Sequence, residues 1–115
     1  MREFIKVMKA VSDPNRVKIL KMLQQKKMCV CEIQYVLGTA QSTASKHLKL
    51  LEDAGLVSCK KDGLWVNYEL ASGTQSPFAA NLIGNMRHWL NESPEIKEIM
   101  KQLPNVNRID ILSKK

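Results

Sequence analysis

Two cysteines separated by a single residue, Cys29 and Cys31, are the side chains of this sequence best suited to bind an ion. Thiolates are the preferred donors for soft, thiophilic ions. Both cysteines lie at the predicted start of a helix, where backbone amides favour an anion and lower the pKa of a thiol. Residues two apart point about 200° apart around a helix but to the same side of an extended segment. The pair therefore predicts a two-thiol ion site that requires an extended first turn.

Other roles for the thiols stay open at this point. Free cysteine is commonly buried, so Cys29 and Cys31 could serve only as small apolar residues packed between two helices. The pair could also act as a redox switch or as a dithiol oxidoreductase, although the usual CxxC motif is missing. Cys59 is the third cysteine, and the apolar partners predicted for it in a hairpin place it in the core. An odd number of cysteines does not favour a disulfide framework.

The elements that must position the paired thiols form a helix-turn-helix unit. The segment CEIQYVLG predicts a short helix that ends at Gly38, and QSTASKHLKLLEDAG predicts a longer helix that ends at Gly55. Ala44, Leu48 and Leu51 form a single apolar stripe on the longer helix. Two helices joined by a short turn that contains glycine are typical of a DNA-reading unit.

A β-hairpin is predicted next, in the segment LVSCKKDGLWVNYEL. Asp62 and Gly63 are a strong signal for a two-residue turn, which places Cys59 opposite Val66. The inner face of the hairpin is then formed by Val57, Cys59, Val66 and Tyr68. The predicted fold class is mainly α with a small β-hairpin wing, that is, a winged helix-turn-helix.

The longer helix and the wing carry polar and cationic residues that suit double-stranded DNA. A reading helix presents its N-terminal polar residues to the major groove, and wing lysines suit phosphates. The net charge of +7 favours a polyanionic partner. A merely solvated polar face is the alternative, but hydroxyl residues are mediocre helix formers, so their cluster at an exposed helix start favours another use. The predicted DNA-contacting residues are Gln41, Ser42, Thr43, Ser45, Lys46, His47, Lys60 and Lys61.

Apolar stripes on the first and the last long helix predict a homodimer. The last long helix is expected over SPFAANLIGNMRHWLN, and the two stripes offer more apolar surface than one small domain needs. The stripe residues are Phe4, Ile5 and Met8 on the first helix and Phe78, Leu82, Met86 and Trp89 on the last. The length of 115 residues fits one domain. We assign it to residues 1–102, followed by a flexible tail over residues 103–115.

The sequence carries no signal for membrane insertion or secretion. It has no apolar run long enough to span a bilayer, and its first residues lack the continuous apolar centre of a secretory signal. We therefore expect a cytoplasmic protein with no membrane partner. We also expect no enzymatic activity.

Three features in the same order, CVCE, QSTASKHLKLLEDAGLV and KKDGLWVNYEL, resemble the ArsR/SmtB family of dimeric metal- and metalloid-responsive winged-helix repressors. The resemblance covers roughly residues 4–90. CVCE is similar to the arsenic-type thiol motif CVCD, with Glu32 in place of the aspartate. Arsenic-type members often carry a third cysteine where this chain has Gln34. Zinc-type members carry aspartate and histidine pairs where the last long helix has only Asn81, Asn85 and His88, so no zinc site is expected.

The resemblance implies a homodimeric repressor that leaves its operator when trivalent arsenic or antimony, As(III) or Sb(III), binds Cys29 and Cys31. DNA binding itself would require no cofactor. A thiol-based redox sensor and a repressor for another thiophilic metal ion are the alternatives. The DNA prediction is independent of the thiol prediction, because many helix-turn-helix units bind DNA without any metal.

Overall fold

The computed structural model describes residues 1–73 and 75–113, and for residues 112 and 113 it describes the backbone alone. Within these ranges the α-helices are α1, Arg2–Ala10; α2, Pro14–Gln25; α3, Val30–Leu37; α4, Gln41–Asp53; α5, Pro77–Met86; α6, Pro94–Gln102; and α7, Arg108–Ser113. The strands are β1, Met28–Cys29; β2, Val57–Asp62; and β3, Trp65–Leu70. A single 3₁₀ turn, Leu103–Asn105, lies between α6 and α7. The predicted fold class, mainly helical with a small β-hairpin wing, is confirmed.

The helix-turn-helix consists of α3, a short turn and α4. Gly38 ends α3 in the left-handed conformation, with φ of 72°, which glycine adopts at little cost. Residues 38–40 then lead into α4, whose Ala44, Leu48 and Leu51 are buried. The two helices and the buried stripe predicted for this unit are therefore confirmed, although α4 ends at Asp53, two residues before the predicted stop at Gly55.

The wing is part of a three-stranded antiparallel sheet with the order β1-β3-β2. Asp62 pairs with Trp65 and Cys59 with Tyr68, so the turn residues are Gly63 and Leu64. The predicted turn at Asp62 and Gly63 was wrong by one residue, because Gly63, with φ of 62°, occupies the first turn position. The pairing register shifts by two residues, and a shift by two keeps every side chain on its predicted face.

Helix α5 is shorter than the sequence predicted. It ends at Met86, whereas the apolar pattern suggested a helix that continues to Asn91. The ammonium of buried Lys21 donates to the carbonyl oxygens of Met86 at 2.7 Å and Trp89 at 2.9 Å and to Asn91 Oδ1 at 2.8 Å. These bonds satisfy carbonyls that a continuing helix would have used, and Leu90 takes a left-handed φ of 66°. Burial lowers the pKa of Lys21.

Beyond the predicted domain boundary at residue 102, the described chain forms a 3₁₀ turn and the short helix α7. Leu103 and Val106 are buried, and the Lys26 ammonium donates to their carbonyl oxygens at 2.9 and 2.8 Å. Helix α7 contacts α3, and the Arg108 guanidinium lies 4.9 Å from the centroid of the Trp65 ring. Residues 103 and 106 therefore contact the preceding domain, while the assignment of residues 103–115 to a flexible tail stays a prediction.

The core lies between α2, α3, α4 and the inner face of the sheet. Its fully buried apolar side chains include Ile19, Leu20, Met22, Met28, Ile33, Leu48, Leu51 and Leu56. Among the described helices, none has the length and apolar character needed to cross a membrane.

Candidate thiol site and DNA-binding surface

Cys29 occupies the joint between the sheet and the helix-turn-helix. It is the last residue of β1, where it pairs with Asn67 of β3, and it is also the N-cap of α3. Its backbone is extended, with φ of −84° and ψ of 167°, whereas Cys31 lies within the first turn of α3. The sequence predicted that both cysteines must be extended to bind one ion. Only Cys29 is extended, because Cys31 is helical. Cys29 is buried and Cys31 is half-buried.

Glu32 closes the start of α3 against Cys29. The backbone N–H of Cys29 donates to Glu32 Oε1 at 2.8 Å, and the backbone N–H of Glu32 points back to the Cys29 sulfur. This is a capping box with a thiol in place of the usual hydroxyl. Glu32 is only 6% exposed. A glutamate at this position is a standard signal of such a box, so the departure from aspartate has a local structural reason.

The environment of Cys29 raises its pKa, in contrast to the lowering expected at a helix N-terminus. Burial is the largest cause, followed by the hydrogen bond with the Cys31 thiol, and the Glu32 carboxylate adds to both. The Glu32 amide acts in the opposite direction, but the pKa still rises from 9.0 to about 12. The prediction was wrong because desolvation and a neighbouring carboxylate outweigh the helix amides. At neutral pH, Cys29 is therefore a thiol.

Cys59 lies apart from the pair and outside the core. It is exposed, and its sulfur lies 3.3 Å from Glu52 Oε2, a hydrogen bond that raises the pKa of Cys59. The predicted burial beneath the wing was wrong, because the inner face of the hairpin is covered only near its base. Cys59 pairs with Tyr68 and Cys29 with Asn67, and neighbouring residues on a strand face opposite sides of the sheet. The described residues contain no cluster of three or more histidine, cysteine or acidic side chains that could hold a metal ion.

Most of the predicted DNA-reading residues of α4 are exposed. The exposed ones are Gln41, Ser42, Thr43, Ser45 and Lys46. His47 is half-buried, and its Nδ1 lies 3.2 Å from Nη1 of Arg16 on α2. Because Ala44 of the same turn is buried, this end of α4 is held against the body while its polar residues project outward.

The wing extends beside this surface. Lys60 and Lys61 are both exposed, as predicted. Lys60 forms an ion pair with Glu69 at 2.7 Å, and Lys27 approaches the other oxygen of the same carboxylate at 3.3 Å. These lysine hydrogen bonds lower the pKa of Glu69. Leu64 at the tip is 98% exposed.

The apolar stripes predicted for a dimer interface lie mostly on one face. The rings of Phe4 and Phe78 meet edge to face, with centroids 5.3 Å apart, and Ile5 and Trp89 are about half exposed. A shallow groove of about 200 Å³ between α1 and α5 is lined by Phe4, Met8, Phe78, Asn81, Leu82 and Asn85. Met86 is only 4% exposed, so it packs inside the chain and does not belong to the exposed stripe.

Two functional candidates escaped the sequence analysis. Arg16 was not predicted to have a functional role, although it contacts His47, which is 31 residues away in sequence. Glu32 was noted only as a departure from aspartate, although it bonds to the backbone of Cys29. Cys-x-x-Glu is a local signal that resembles a capping box and could have revealed Glu32. The contact of Arg16 depends on tertiary packing and has no local signal.

Comparison with known proteins identifies relatives of this arrangement. The family model described as "Bacterial regulatory protein, arsR family" matches residues 13–58. The chain is 31% identical over 104 residues to the arsenical resistance operon repressor of Escherichia coli strain K12. The aligned region covers 90% of this chain and 86% of that protein. The chain is also 41% identical over 66 residues to a CadC homolog of Staphylococcus aureus, a cadmium resistance transcriptional regulatory protein. That aligned region covers 56% of this chain and 54% of the homolog.

A solved structure supports the same assignment. The homodimeric winged helix-turn-helix DNA-binding domain Mb0332 from Mycobacterium bovis matches with a TM-score of 0.65 and 27% sequence identity. The match covers 79% of this chain and 81% of that domain. The fold and the relatives are those of transcriptional regulators and not of enzymes.

Proposed function

Because the chain belongs to the ArsR family of DNA-binding transcriptional repressors, we propose that it is a homodimeric repressor whose operator is released when trivalent arsenic or antimony binds Cys29 and Cys31. It would act in the cytoplasm and would need no cofactor to bind DNA.

The observation that carries this proposal is the double role of Cys29. The residue belongs to β1, which pairs with wing strand β3, and it also begins α3, which the short turn joins to α4. An ion that draws Cys29 and Cys31 together acts on the point where wing and helix-turn-helix meet. Binding at this joint is therefore well placed to disturb both parts of the DNA-binding surface.

The raised pKa of Cys29 favours an inducer that brings its own proton acceptor. Arsenous acid forms each arsenic–sulfur bond with loss of one water, because a hydroxide on arsenic takes up the thiol proton. The oxidation state of arsenic does not change and no proton is released to solvent. A divalent cation must instead displace the proton from the thiol into solvent, which is costly when the pKa is about 12. The site therefore suits a trivalent oxyacid better than a divalent metal ion.

Release would begin with a change at the first turn of α3. Cys29 is extended and only Cys31 is helical, and the two thiols are hydrogen-bonded to each other. Covalent bonds from both sulfurs to one arsenic atom would replace this thiol–thiol contact and the contact of the Cys29 sulfur with the Glu32 backbone N–H, which would disturb the capping box of α3. Since α3 packs on α4, a displaced α3 start would move the reading helix.

The third position on arsenic is assigned to an exogenous small thiol, a water or nothing. Cys59 is the other thiol of the chain, but it lies on the opposite side of the sheet and bonds to Glu52. Reaching the pair would require β2 to detach from β3. We therefore infer a site of two protein thiols.

For the DNA side, we propose that the polar start of α4 contacts base edges or phosphates while the wing binds phosphates. The assigned residues are Gln41, Ser42, Thr43, Ser45, Lys46, His47, Lys60 and Lys61. The exposure of the first five polar residues of α4 and of both wing lysines supports this division, and His47 is half-buried beside them. Dimerisation through α1 and α5 is supported by the exposed face around Phe4, Ile5 and Phe78.

A competition among inducers tests the proposal. Operator-bound protein is titrated with arsenite, cadmium or hydrogen peroxide, and release is followed by fluorescence anisotropy of labelled DNA. We expect release by arsenite at the lowest concentration. Release by cadmium alone would favour a metal-ion repressor, an alternative that similarity to the CadC homolog keeps open. Release by peroxide alone would favour a redox sensor.

A further inference from the structure

The side chain of Arg16 connects three helices. Its Nε donates to the carbonyl oxygen of Ala10 at 2.7 Å, and its Nη2 donates to that of Lys9 at 3.4 Å. These two carbonyls end α1, while Arg16 itself lies in the first turn of α2. Its Nη1 lies 3.2 Å from Nδ1 of His47 on α4. One guanidinium therefore ties the reading helix to the end of α1.

The contact between Arg16 and His47 is a hydrogen bond in only one tautomer of the His47 ring. A guanidinium has N–H donors only, so a hydrogen bond with His47 requires a lone pair on Nδ1. The neutral ring then carries its proton on Nε2, as a donor directed away from Arg16. Helical side chains lean toward the N-terminus of their helix, which is the end of α4 where Thr43 is exposed.

We propose that Arg16 is a positioning residue for DNA binding: it holds His47 so that the Nε2–H donates to a phosphate of the DNA backbone. This inference rests on the DNA-binding surface of the proposed function. It adds a division of labour to that surface, since Arg16 orients the donor and His47 makes the contact. Arg16 already has carbonyl or imidazole partners on Nε, Nη1 and Nη2, which leaves it poorly placed to clamp a phosphate itself.

The contacts of Arg16 also affect the geometry of a dimer. Helix α1 carries Phe4 and Ile5 of the proposed dimer face, and Arg16 bonds to the last carbonyls of the same helix. The position of each reading helix relative to the dimer interface then depends on this contact. In dimeric helix-turn-helix proteins that position sets the spacing of the two half-sites.

The test is a double-mutant cycle with Arg16→Met and His47→Asn. Asparagine keeps an acceptor near the position of Nδ1 but lacks a donor at the Nε2 position. We expect each single variant to bind all double-stranded DNA sequences about 3- to 10-fold more weakly, as for loss of one hydrogen bond. The DNA affinity of the double variant should equal that of the single variant with the lower affinity, because both changes remove the same phosphate contact.

The matched control is Lys18→Met, which removes one charge from the same helix. Lys18 pairs with Glu95 and has no contact with α4 among those described. The dependence of affinity on salt should be the same for Arg16→Met and Lys18→Met, because a neutral imidazole donor releases no counterion. Multiplicative losses in the double variant, or a salt slope lower by about one unit in Arg16→Met than in Lys18→Met, would overturn the proposal in favour of a direct Arg16–phosphate contact.

A measurement on the free protein keeps the proposal testable if Arg16→Met does not fold. Long-range ¹H–¹⁵N spectra of the wild-type imidazole should show the proton of His47 on Nε2. A proton on Nδ1 would overturn the inference without any variant. Failure of the wild type to bind any double-stranded DNA would refute the proposed function and this inference with it, whereas the outcomes above refute the inference alone.

Discussion

The two functional regions differ in how their residues are held. The reading surface of α4 consists of side chains that project from a helix whose other side is buried, and its first five polar residues are exposed. The thiol region consists of buried or half-buried groups that contact one another and the backbone. The reading surface can change residue by residue with little effect on the fold. At the thiol joint, by contrast, an inducer that binds the cysteines must also change the local structure. The joint is therefore suited to switch DNA binding off.

The same difference determines what the sequence could predict. The helix-turn-helix was predicted correctly because Gly38, Ala44, Leu48 and Leu51 are local signals of turn and stripe. The exposed polar residues of α4 followed from that periodicity. Their roles in DNA binding stay predictions.

The errors concern groups whose state depends on contacts distant in sequence. The end of α5 depends on Lys21, which is 65 residues from Met86. The pKa of Cys29 depends on burial, which local helix rules do not include. Cys59 was assigned to the core because its predicted hairpin neighbours are apolar, but it is exposed, since no described residue covers that part of the wing enough to bury it. Alternation along a strand gives the face of a residue and not its exposure.

The largest effect is expected from disrupting the proposed dimer face, which would remove DNA binding while leaving the thiol joint intact. Ile5→Glu combined with Phe78→Glu places two charges on an apolar face, and burying each such side chain is worth roughly 1.5–3 kcal/mol. Sedimentation should show monomers, and operator affinity should fall by about 100-fold or more. Ile109→Glu is the matched control, because Ile109 is also exposed but lies on α7. A double variant that stays dimeric would contradict the assigned interface.

The thiol joint should give the protein a dependence of stability on pH. Burial and the neighbouring groups raise the pKa of Cys29 from 9.0 to about 12. Above about pH 9 the unfolded chain loses this proton while the folded chain keeps it, so stability is complete below that pH and falls as pH rises toward 12. Relative to Cys29→Ala, the wild type should lose roughly 1.4 kcal/mol per pH unit in that window, measured by urea unfolding. Parallel curves for the two proteins would show that the thiol is not held neutral.

Breaking the capping box should destabilise the start of α3 without touching the reading surface. Glu32→Ala removes the acceptor for Cys29 N–H and should lower the free energy of unfolding by about 1 kcal/mol. Glu32→Gln keeps an oxygen acceptor and should retain most of that stability. Operator affinity should stay near wild type in both variants. Equal stability of Glu32→Ala and Glu32→Gln would mean that the hydrogen bond does not stabilise the helix.

The smallest effect is expected at the wing. Replacing Lys61 by alanine should weaken binding to all DNA sequences alike and should reduce the salt slope by about one unit if it contacts one phosphate. Replacing Ser42 on α4 should instead relax the sequence preference, because base contacts specify and phosphate contacts position. The same pattern of loss at both positions would contradict the assigned helix and wing roles.

The central claim is that arsenic acts through Cys29 and Cys31, and an arsenite titration of operator-bound cysteine variants tests it most directly. Cys29→Ser is a well-matched variant because serine at the N-cap completes a standard capping box with Glu32. We expect Cys29→Ser and Cys31→Ser to bind the operator like the wild type and to stay bound as arsenite is added, while Cys59→Ser is released normally. Normal release of Cys29→Ser and Cys31→Ser, or a failure of release confined to Cys59→Ser, would contradict the account.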